Sequence, residues 1–211
     1  FTGIVRDKKR RKMSKSLGNS PDAIELIDKY GADGVRSGML FSSNAGNDLL
    51  FDEILCEQGR NFSNKIWNAY RLVDSWNTSG DNQSDVNEIS IKWFNDRFFE
   101  ELVSINESFK KFRISECLMK IYKLIWYDFC SCYLELIKPK NQVIDIQTKD
   151  KTIYFFEKLM IILHPFMPFI SEEVWQKINK RTQNATIMYA EWPKEHKTNK
   201  KLLKSFAFLF K

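Results

Sequence analysis

The chain has 211 residues, of which 43% are hydrophobic and 14% aromatic, and it contains only 8 Gly and 5 Pro. This composition excludes a disordered or fibrous protein and predicts a folded chain with a substantial core. The net charge of +6 is uneven, because residues 6–15 carry seven Lys or Arg and residues 194–211 carry six Lys, while the remainder is mildly acidic. Contact with a polyanion is therefore expected at the two basic ends and in local clusters.

No apolar run approaches the roughly 20 residues that span a bilayer, so we expect a cytoplasmic protein with no membrane partner. The first residue is Phe1 rather than Met, which indicates a chain that begins within a larger protein.

Residues 1–52 are predicted to form a small connecting α/β domain. Its first strand ends in a charged loop, after which Ser20 should cap a helix that has Pro21 in its first position and ends at Gly31. A second helix is predicted over residues 32–41, and residues 42–51 should be loop with short extended pieces. The buried positions expected in the two helices are Ile24, Ile27, Tyr30, Val35 and Met39.

Residues 53–193 are predicted to form an antiparallel α-helical bundle, so the fold class is mainly α. Three long helices are indicated by apolar residues that recur at spacings of three and four. Asp52 should cap the first, residues 77–90 should be a surface loop, and Ser115 should cap the third. The three stripes are Leu55, Gly59, Phe62, Ile66, Ala69, Val73 and Trp76; Ile91, Phe94, Phe98, Leu102, Ile105, Phe109 and Phe112; and Leu118, Tyr122, Ile125, Phe129, Tyr133 and Leu136.

Two shorter helices are predicted next, over about residues 149–164 and from Ser171, its cap, to about residue 179, with a bend at Pro165 and Pro168 between them. His164 is expected to make a local hydrogen bond. Residues 186–192 should form a strand or an extended strap. Residues 194–211 are predicted to be a basic tail that begins a further element.

The strongest motif is Lys12-Met13-Ser14-Lys15-Ser16, followed by Gly18-Asn19. Such a loop offers ammonium groups and hydroxyls to a triphosphate with a helix N-terminus behind it, although a solvated basic turn is the alternative. The pentapeptide resembles the KMSKS motif of class I aminoacyl-tRNA synthetases at every letter. That resemblance implies an ATP-dependent ligase, with Mg²⁺ accompanying ATP.

The resemblance also implies roles for all five motif residues as ATP-binding residues. Lys15 would be catalytic by stabilising charge on the ATP phosphates, and Lys12 would support it. Ser14 and Ser16 would donate hydrogen bonds or hold the shape of the loop, and Met13 would anchor it.

Two further segments extend the resemblance. Gly31-Ala32-Asp33-Gly34-Val35-Arg36 resembles a segment that follows the loop in the same enzymes, and it implies either tRNA contact or a helix cap with an Asp33–Arg36 surface pair. His164 to Trp175 resembles a segment of the valyl, isoleucyl and leucyl anticodon-binding domains, where its prolines and aromatic residues would be structural.

The segment from Arg60 to Ala69 is typical of the valyl members of the family. It places polar and basic residues on a helix, suited to phosphates and base edges, although an ordinary solvated face remains the alternative. The predicted tRNA-binding residues are Arg60, Asn64, Lys65, Asn68 and Arg71.

The resemblance implies that the chain is part of a valyl enzyme and that its partner is tRNA(Val). ATP and valine would be bound through the parent enzyme, and we expect a monomer. An isoleucyl or leucyl enzyme, a stand-alone helical RNA-binding protein and a helical protein-interaction module are the alternatives. By itself the chain is expected to be inactive and to bind no cofactor or metal. The four cysteines, whose spacing matches no zinc module or disulfide framework, are expected to be buried thiols: Cys56, Cys117, Cys130 and Cys132.

Overall fold

The computed structural model describes residues 3–42, 47–80 and 82–209, with side chains as far as Phe206. The predicted features that involve residues 1–2, 43–46, 81 and 210–211 lie outside the described residues. The described elements, in chain order, are β1 (Val5–Arg6), α1 (Ala23–Tyr30), α2 (Ala32–Phe41), β2 (Leu49–Leu50), α3 (Glu53–Asp74), β3 (Asn77–Ser79), α4 (Asp85–Lys110), α5 (Ile114–Lys123), a π-helix (Leu124–Tyr133), α6 (Leu134–Ile137), β4 (Val143–Asp145), α7 (Ile146–Leu163), α8 (Pro168–Ile178) and α9 (Lys200–Leu209). The predicted class, a mainly α fold with a small α/β part before it, is confirmed.

The N-terminal part pairs β1 with β2 in parallel, Val5 opposite Leu49, and packs α1 against α2 and α3. The predicted end of α1 at Gly31 is confirmed, and this glycine has a positive φ of 77°. The predicted cap Ser20 is wrong. Asp22 caps α1 instead, accepting from the N–H groups of Ile24 at 2.7 Å and Glu25 at 3.3 Å, because its carboxylate both pairs with these free donors and complements the helix dipole.

The buried faces of α1 and α2 differ from those predicted. In α1, Leu26 and Tyr30 are buried, whereas Ile24 is 64% exposed and Ile27 is 38% exposed. In α2 the buried residues are small or polar rather than Val35 and Met39: Asp33, Gly34, Ser37 and Gly38.

Helices α2 and α3 approach each other so closely that only small residues fit between them. A Cβ on Gly38 would lie 2.7 Å from the backbone nitrogen of Cys56. A Cβ on Gly59 would lie 2.1 Å from Ser37 Oγ and 2.6 Å from the carbonyl oxygen of Gly34. The contact is therefore backbone against backbone, and glycine is required for steric reasons.

The long helices of the bundle confirm most of the apolar stripes. Asp52 caps α3 as predicted, with Oδ1 3.0 Å from the nitrogen of Ile54. The prediction of Phe112 as a core residue is wrong. Helix α4 ends at Lys110, and Phe112 has a positive φ of 55° and is 81% exposed. The remaining stripe residues are buried or half-buried, and all of them except Leu55 and Gly59 belong to one continuous core.

The predicted surface loop over residues 77–90 is wrong in both halves. Its first part forms β3, which pairs in parallel with β4, and its last part is the first turns of α4, capped by Ser84. Asn87 Nδ2 donates to Asp145 Oδ2 at 3.1 Å, and Gln83 Nε2 donates to Thr148 Oγ1 at 2.9 Å. The small sheet thus joins the end of α3 to the start of α7.

The predicted third helix is a continuous run of α5, the π-helix and α6. Ser115 does not cap it, since α5 begins one residue earlier and Ser115 Oγ contacts the carbonyl oxygen of Phe41 at 3.5 Å. The wide π-helix suits its buried residues, which fall in adjacent pairs four or five positions apart. These pairs are Leu124 and Ile125, Phe129 and Cys130, and Tyr133 with Leu134, the first residue of α6.

A third predicted cap, Ser171, is also wrong. Helix α8 begins at Pro168, and Ser171 is buried inside it, donating to the carbonyl oxygen of Met167 at 2.7 Å. The predicted local bond of His164 is confirmed, with Nδ1 2.8 Å from Ser171 Oγ. The segment after α8 contains a short 3₁₀ turn, and in α9 the ring of Phe206 stacks on Trp93 at 5.0 Å. Among the described helices, none is long and apolar enough to cross a membrane.

The cysteines are free thiols. Cys56, Cys117 and Cys130 are buried as predicted, whereas Cys132 is only partly buried. The described residues contain no group of three or more His, Cys, Asp or Glu that could hold a metal ion.

Candidate functional site

The lysine-rich loop, residues 12–16, leaves β1 through a tight charged turn. Arg6 pairs with Lys12 in an antiparallel bridge, and the nitrogen of Met13 donates to the carbonyl oxygen of Val5 at 3.0 Å. Between them the nitrogen of Asp7 donates to the carbonyl oxygen of Arg11 at 2.9 Å. The loop therefore starts from a fixed backbone position at the end of the sheet.

Two side chains outside the motif, Asp7 and Asn19, hold this turn and the loop together. Asp7 Oδ1 accepts from the nitrogens of Lys9 and Arg11, both at 2.9 Å, and its Oδ2 accepts from Asn19 Nδ2 at 3.1 Å. Asn19 also donates to the carbonyl oxygen of Lys12 at 3.2 Å. The hydrogen bond from Asn19, with further help from Arg11, lowers the pKa of Asp7 to about 2.

The serines of the motif are used within the loop. Ser14 Oγ lies 3.1 Å from Ser16 Oγ and accepts from the nitrogen of Leu17 at 3.3 Å, while the nitrogen of Ser14 donates to Asn19 Oδ1 at 2.9 Å. Gly18, with a positive φ of 61°, closes the short 3₁₀ turn. In this conformation both hydroxyls hold the shape of the loop.

The two lysines of the motif are exposed, and within the described parts of the chain neither ammonium group has a hydrogen-bond or ion-pair partner. Met13 is half-buried and lines a cavity of about 410 Å³ together with Pro21 and Phe51. The loop thus presents two available cations, Lys12 and Lys15, on a hydrogen-bonded frame. Such groups can bind and stabilise phosphate oxygens.

The predicted tRNA-binding residues all lie on α3, but they do not form one strip. Four of them share an exposed face: Arg60, Asn64, Asn68 and Arg71. Arg60 Nη1 also donates to the carbonyl oxygen of Lys29 at 3.4 Å, so it closes the end of α1. Lys65 projects elsewhere, because one residue adds about 100° around an α-helix.

Lys65 belongs to an aromatic cluster, of which only Tyr122 was predicted, as a core residue. Its ammonium nitrogen lies 5.5 Å from the centre of the Trp126 ring, and Trp126 stacks on Tyr122 at 5.5 Å. Tyr127, the next residue on the π-helix, is 55% exposed. We call Lys65, Trp126 and Tyr127 the aromatic platform; the adjacent aromatic pair in a helix was the signal that could have indicated it.

Asp33 and Arg36 do not form the surface pair that was one of the two interpretations. Asp33 is 5% exposed, and its carboxylate accepts from the nitrogens of Phe169 at 3.4 Å and Ile170 at 2.7 Å. Arg36 donates to the carbonyl oxygen of Phe166 at 3.2 Å. Burial raises the pKa of Asp33, although both backbone hydrogen bonds oppose that shift.

Residues 1–52, which contain the lysine-rich loop and the two helices that connect it to the bundle, match the family described as tRNA synthetases class I (I, L, M and V). Residues 92–211, more than half of the chain, match the family described as anticodon-binding domain of tRNA ligase. The chain belongs to this family of tRNA ligase anticodon-binding domains.

The chain is similar to bacterial valine–tRNA ligases. It is 51% identical to that of Christiangramia forsetii and 52% identical to that of Phocaeicola vulgatus, in each case over 98% of this chain and 24% of the relative. It is 56% identical to that of Bacteroides thetaiotaomicron over 86% of this chain and 21% of the relative. The chain therefore spans about a quarter of the length of these curated relatives.

A solved structure has the same fold. A LeuRS from Agrobacterium radiobacter, in a ternary complex with tRNA and LeuAMS, matches 96% of this chain and 24% of its own chain, with a TM-score of 0.63 and 20% sequence identity. At that identity the similarity establishes the fold alone.

Proposed function

We propose that this chain is the part of a valine–tRNA ligase that supplies the lysine-rich loop for ATP activation and binds the anticodon region of tRNA(Val). The observation that carries the proposal is the exposure of Lys12 and Lys15 on a loop whose shape is fixed by Asp7 and Asn19. The proposal includes ATP as substrate with Mg²⁺, valine as the amino acid, a cytoplasmic location and a monomer. It also divides the chain at residues 1–52, 53–193 and 194–211.

In the proposed reaction the valine carboxylate attacks the α-phosphorus of ATP and pyrophosphate departs. Lys15 stabilises the charge that develops on the phosphates, and Lys12 supports it from the base of the loop. These contacts strengthen as charge develops on the phosphates, so they are strongest in the transition state and raise the rate constant rather than the affinity for ATP.

The test of this role is Lys15→Ala in the complete ligase, with single-turnover measurement of valyl-adenylate formation. We expect the rate constant to fall by roughly 10²–10³, the usual loss for one preorganised donor, with little change in ATP affinity. Lys9→Ala is the matched control, since Lys9 is an exposed lysine of the same turn outside the motif. An unchanged rate constant with weaker ATP binding would reassign Lys15 to ground-state binding.

For the anticodon we propose that the α3 face and the aromatic platform discriminate bases, while the basic ends attract phosphates. Backbone contact carries no sequence information and weakens steeply with salt. Amide groups and stacking surfaces can instead recognise unpaired bases. Valine codons begin G-U, so valine anticodons end A-C, and these two bases are the ones that a valyl enzyme can use.

The experiment is a titration of the 211-residue chain with valine-type and altered anticodon stem-loops at two salt concentrations. One changed base should cost about 1–3 kcal/mol of binding free energy. Lys65→Ala should reduce this difference, whereas Lys151→Ala, which removes a lysine 5.3 Å from the ring of Tyr154, should leave it unchanged. Deletion of residues 197–211 should weaken both stem-loops alike. Equal affinity for both stem-loops at both salt concentrations would reject anticodon recognition.

A further inference from the structure

At the corner between α7 and α8, residues 164–167, the start of α8 lacks a side-chain cap of its own. Met167 gives α8 no side-chain hydrogen bond, and the first N–H groups of a helix have no partner within it. Pro168 has no N–H, so the nitrogens of Phe169 and Ile170 are the first donors that require an acceptor. The corner itself is packed in the core, with Phe166 and Met167 buried.

Helix α2 provides the missing partners. The carboxylate of Asp33 accepts from both donors at the start of α8, so it acts as an N-cap supplied by a distant helix. One turn further along α2, Arg36 Nε donates to the carbonyl oxygen of Phe166 at 3.2 Å, and its Nη2 contacts that of Pro165 at 3.4 Å. One face of α2 therefore binds both sides of the corner.

The same helix is firmly connected to the lysine-rich loop. It packs backbone to backbone on α3 through Gly34, Gly38 and Gly59, and it follows α1 directly after Gly31. The ammonium of Lys29 and the hydroxyl of Tyr30 at the end of α1 both donate to Glu53 Oε2, at 3.1 and 3.0 Å. Helix α1 begins at Ala23, and six residues separate it from the loop. Within this connection Asn19 is hydrogen-bonded to Ser14 and Lys12, so few movable joints separate the loop from the corner.

We infer that Asp33 and Arg36 are positioning residues that clamp the α7–α8 corner and thereby hold the lysine-rich loop at a fixed place relative to the helical bundle. This inference rests on the proposed function of the loop. The clamp touches no substrate, so it acts through Lys15. Displacement of a catalytic group by about 1 Å can cost up to about 10²-fold in rate, which is the scale on which a loosened clamp should act.

The test is a double-mutant cycle in the complete ligase with single-turnover adenylate formation as the readout. Asp33→Ala should lower the rate constant about tenfold, and Asp33→Asn should lose less because its amide oxygen still accepts one of the two N–H groups. In the Lys15→Ala background the effect of Asp33→Ala should shrink to less than about twofold, since the group it positions is absent. Asp28→Ala, which removes an exposed carboxylate from α1, is the control and should have no effect.

Equal losses from Asp33→Ala in both backgrounds would overturn the inference, because a general loss of structure is additive with the loss of Lys15. Arg36→Ala, at an exposed residue, repeats the cycle if Asp33→Ala does not fold. Hydrogen exchange of the same variants provides a second readout: both residues 12–19 and residues 168–171 should exchange faster. Faster exchange at residues 168–171 without faster exchange at residues 12–19 would also overturn the inference. If Lys15→Ala changes neither the rate constant nor the affinity for ATP, the proposed function of the loop is refuted. Hydrogen exchange would then still test whether Asp33 and Arg36 clamp the corner.

Discussion

Gly59→Ala tests whether the contact between α2 and α3 is as close as the structure describes. In a helix interior, Ala is favoured over Gly by about 1 kcal/mol, so the substitution would stabilise an isolated α3. Here the new methyl would lie 2.1 Å from Ser37 Oγ and 2.6 Å from the backbone oxygen of Gly34. The hydroxyl can rotate away but the backbone cannot, so α2 must move.

Overpacking of this kind typically costs about 1–3 kcal/mol, and a backbone clash belongs at the upper end of that range. After subtraction of the gain in helix propensity, the free energy of unfolding should fall by about 2 kcal/mol. In urea this moves the midpoint of unfolding down by about 1 M. Circular dichroism of the 211-residue chain measures it.

Gly80→Ala is the matched control, because it makes the same chemical change where a Cβ would meet nothing within 4 Å. Its midpoint should stay close to that of the unaltered chain. A Gly59→Ala chain at least as stable as the unaltered one would refute the close contact and leave only helix propensity.

Three further outcomes are expected. The 211-residue chain should show no valine-dependent exchange between ATP and pyrophosphate, because its proposed ATP contacts are confined to residues 12–16; measurable exchange by a clean preparation would contradict this. The pKa of Asp7, lowered from 3.8 to about 2, means that its contribution to holding the loop is complete above its unfolded pKa and is lost as the pH falls through about 2. The amide NMR signals of Lys9 and Arg11 should therefore titrate near pH 2, and a midpoint near 4 would contradict the frame. Burial raises the pKa of Cys117 and Cys130 to about 12, so at pH 8 iodoacetamide should alkylate both in urea and neither in the folded chain, as mass spectrometry can measure.

The fold could be predicted well where a single physical rule decides. The stripe from Phe62 to Val73 is buried because its spacing matches one face of a helix. Asp52 starts α3 and Gly31 ends α1 through local backbone chemistry. Serine caps were predicted less well. Ser115 and Ser171 both lie inside helices, because a serine hydroxyl can bond a carbonyl oxygen as readily as it can cap.

The features that could not be predicted depend on residues far apart in the chain. Strand β3 contains Asn77, Thr78 and Ser79, of which only Thr78 favours a strand, and it exists because β4 pairs with it. The cap that Asp33 supplies to α8 crosses 137 residues of sequence, so no local pattern could indicate it. In the candidate site, Lys12 to Ser16 was identified from the motif, whereas Asp7, which holds that motif, carries no signal of its own in a run of charged residues.

The pairing of β3 with β4 imposes an order on folding during synthesis. The strands stand at opposite ends of the segment that contains α4, α5 and the π-helix, and the bond from Gln83 to Thr148 closes a loop of 65 residues. Helices form in microseconds from local contacts, whereas a ribosome adds about 5–20 residues per second. Helices α3 to α6 are therefore complete while β3 still has no partner. When β4 is synthesised it pairs with β3 and brings α7 to a core in which 23 of the 36 buried residues that the structure describes are already present.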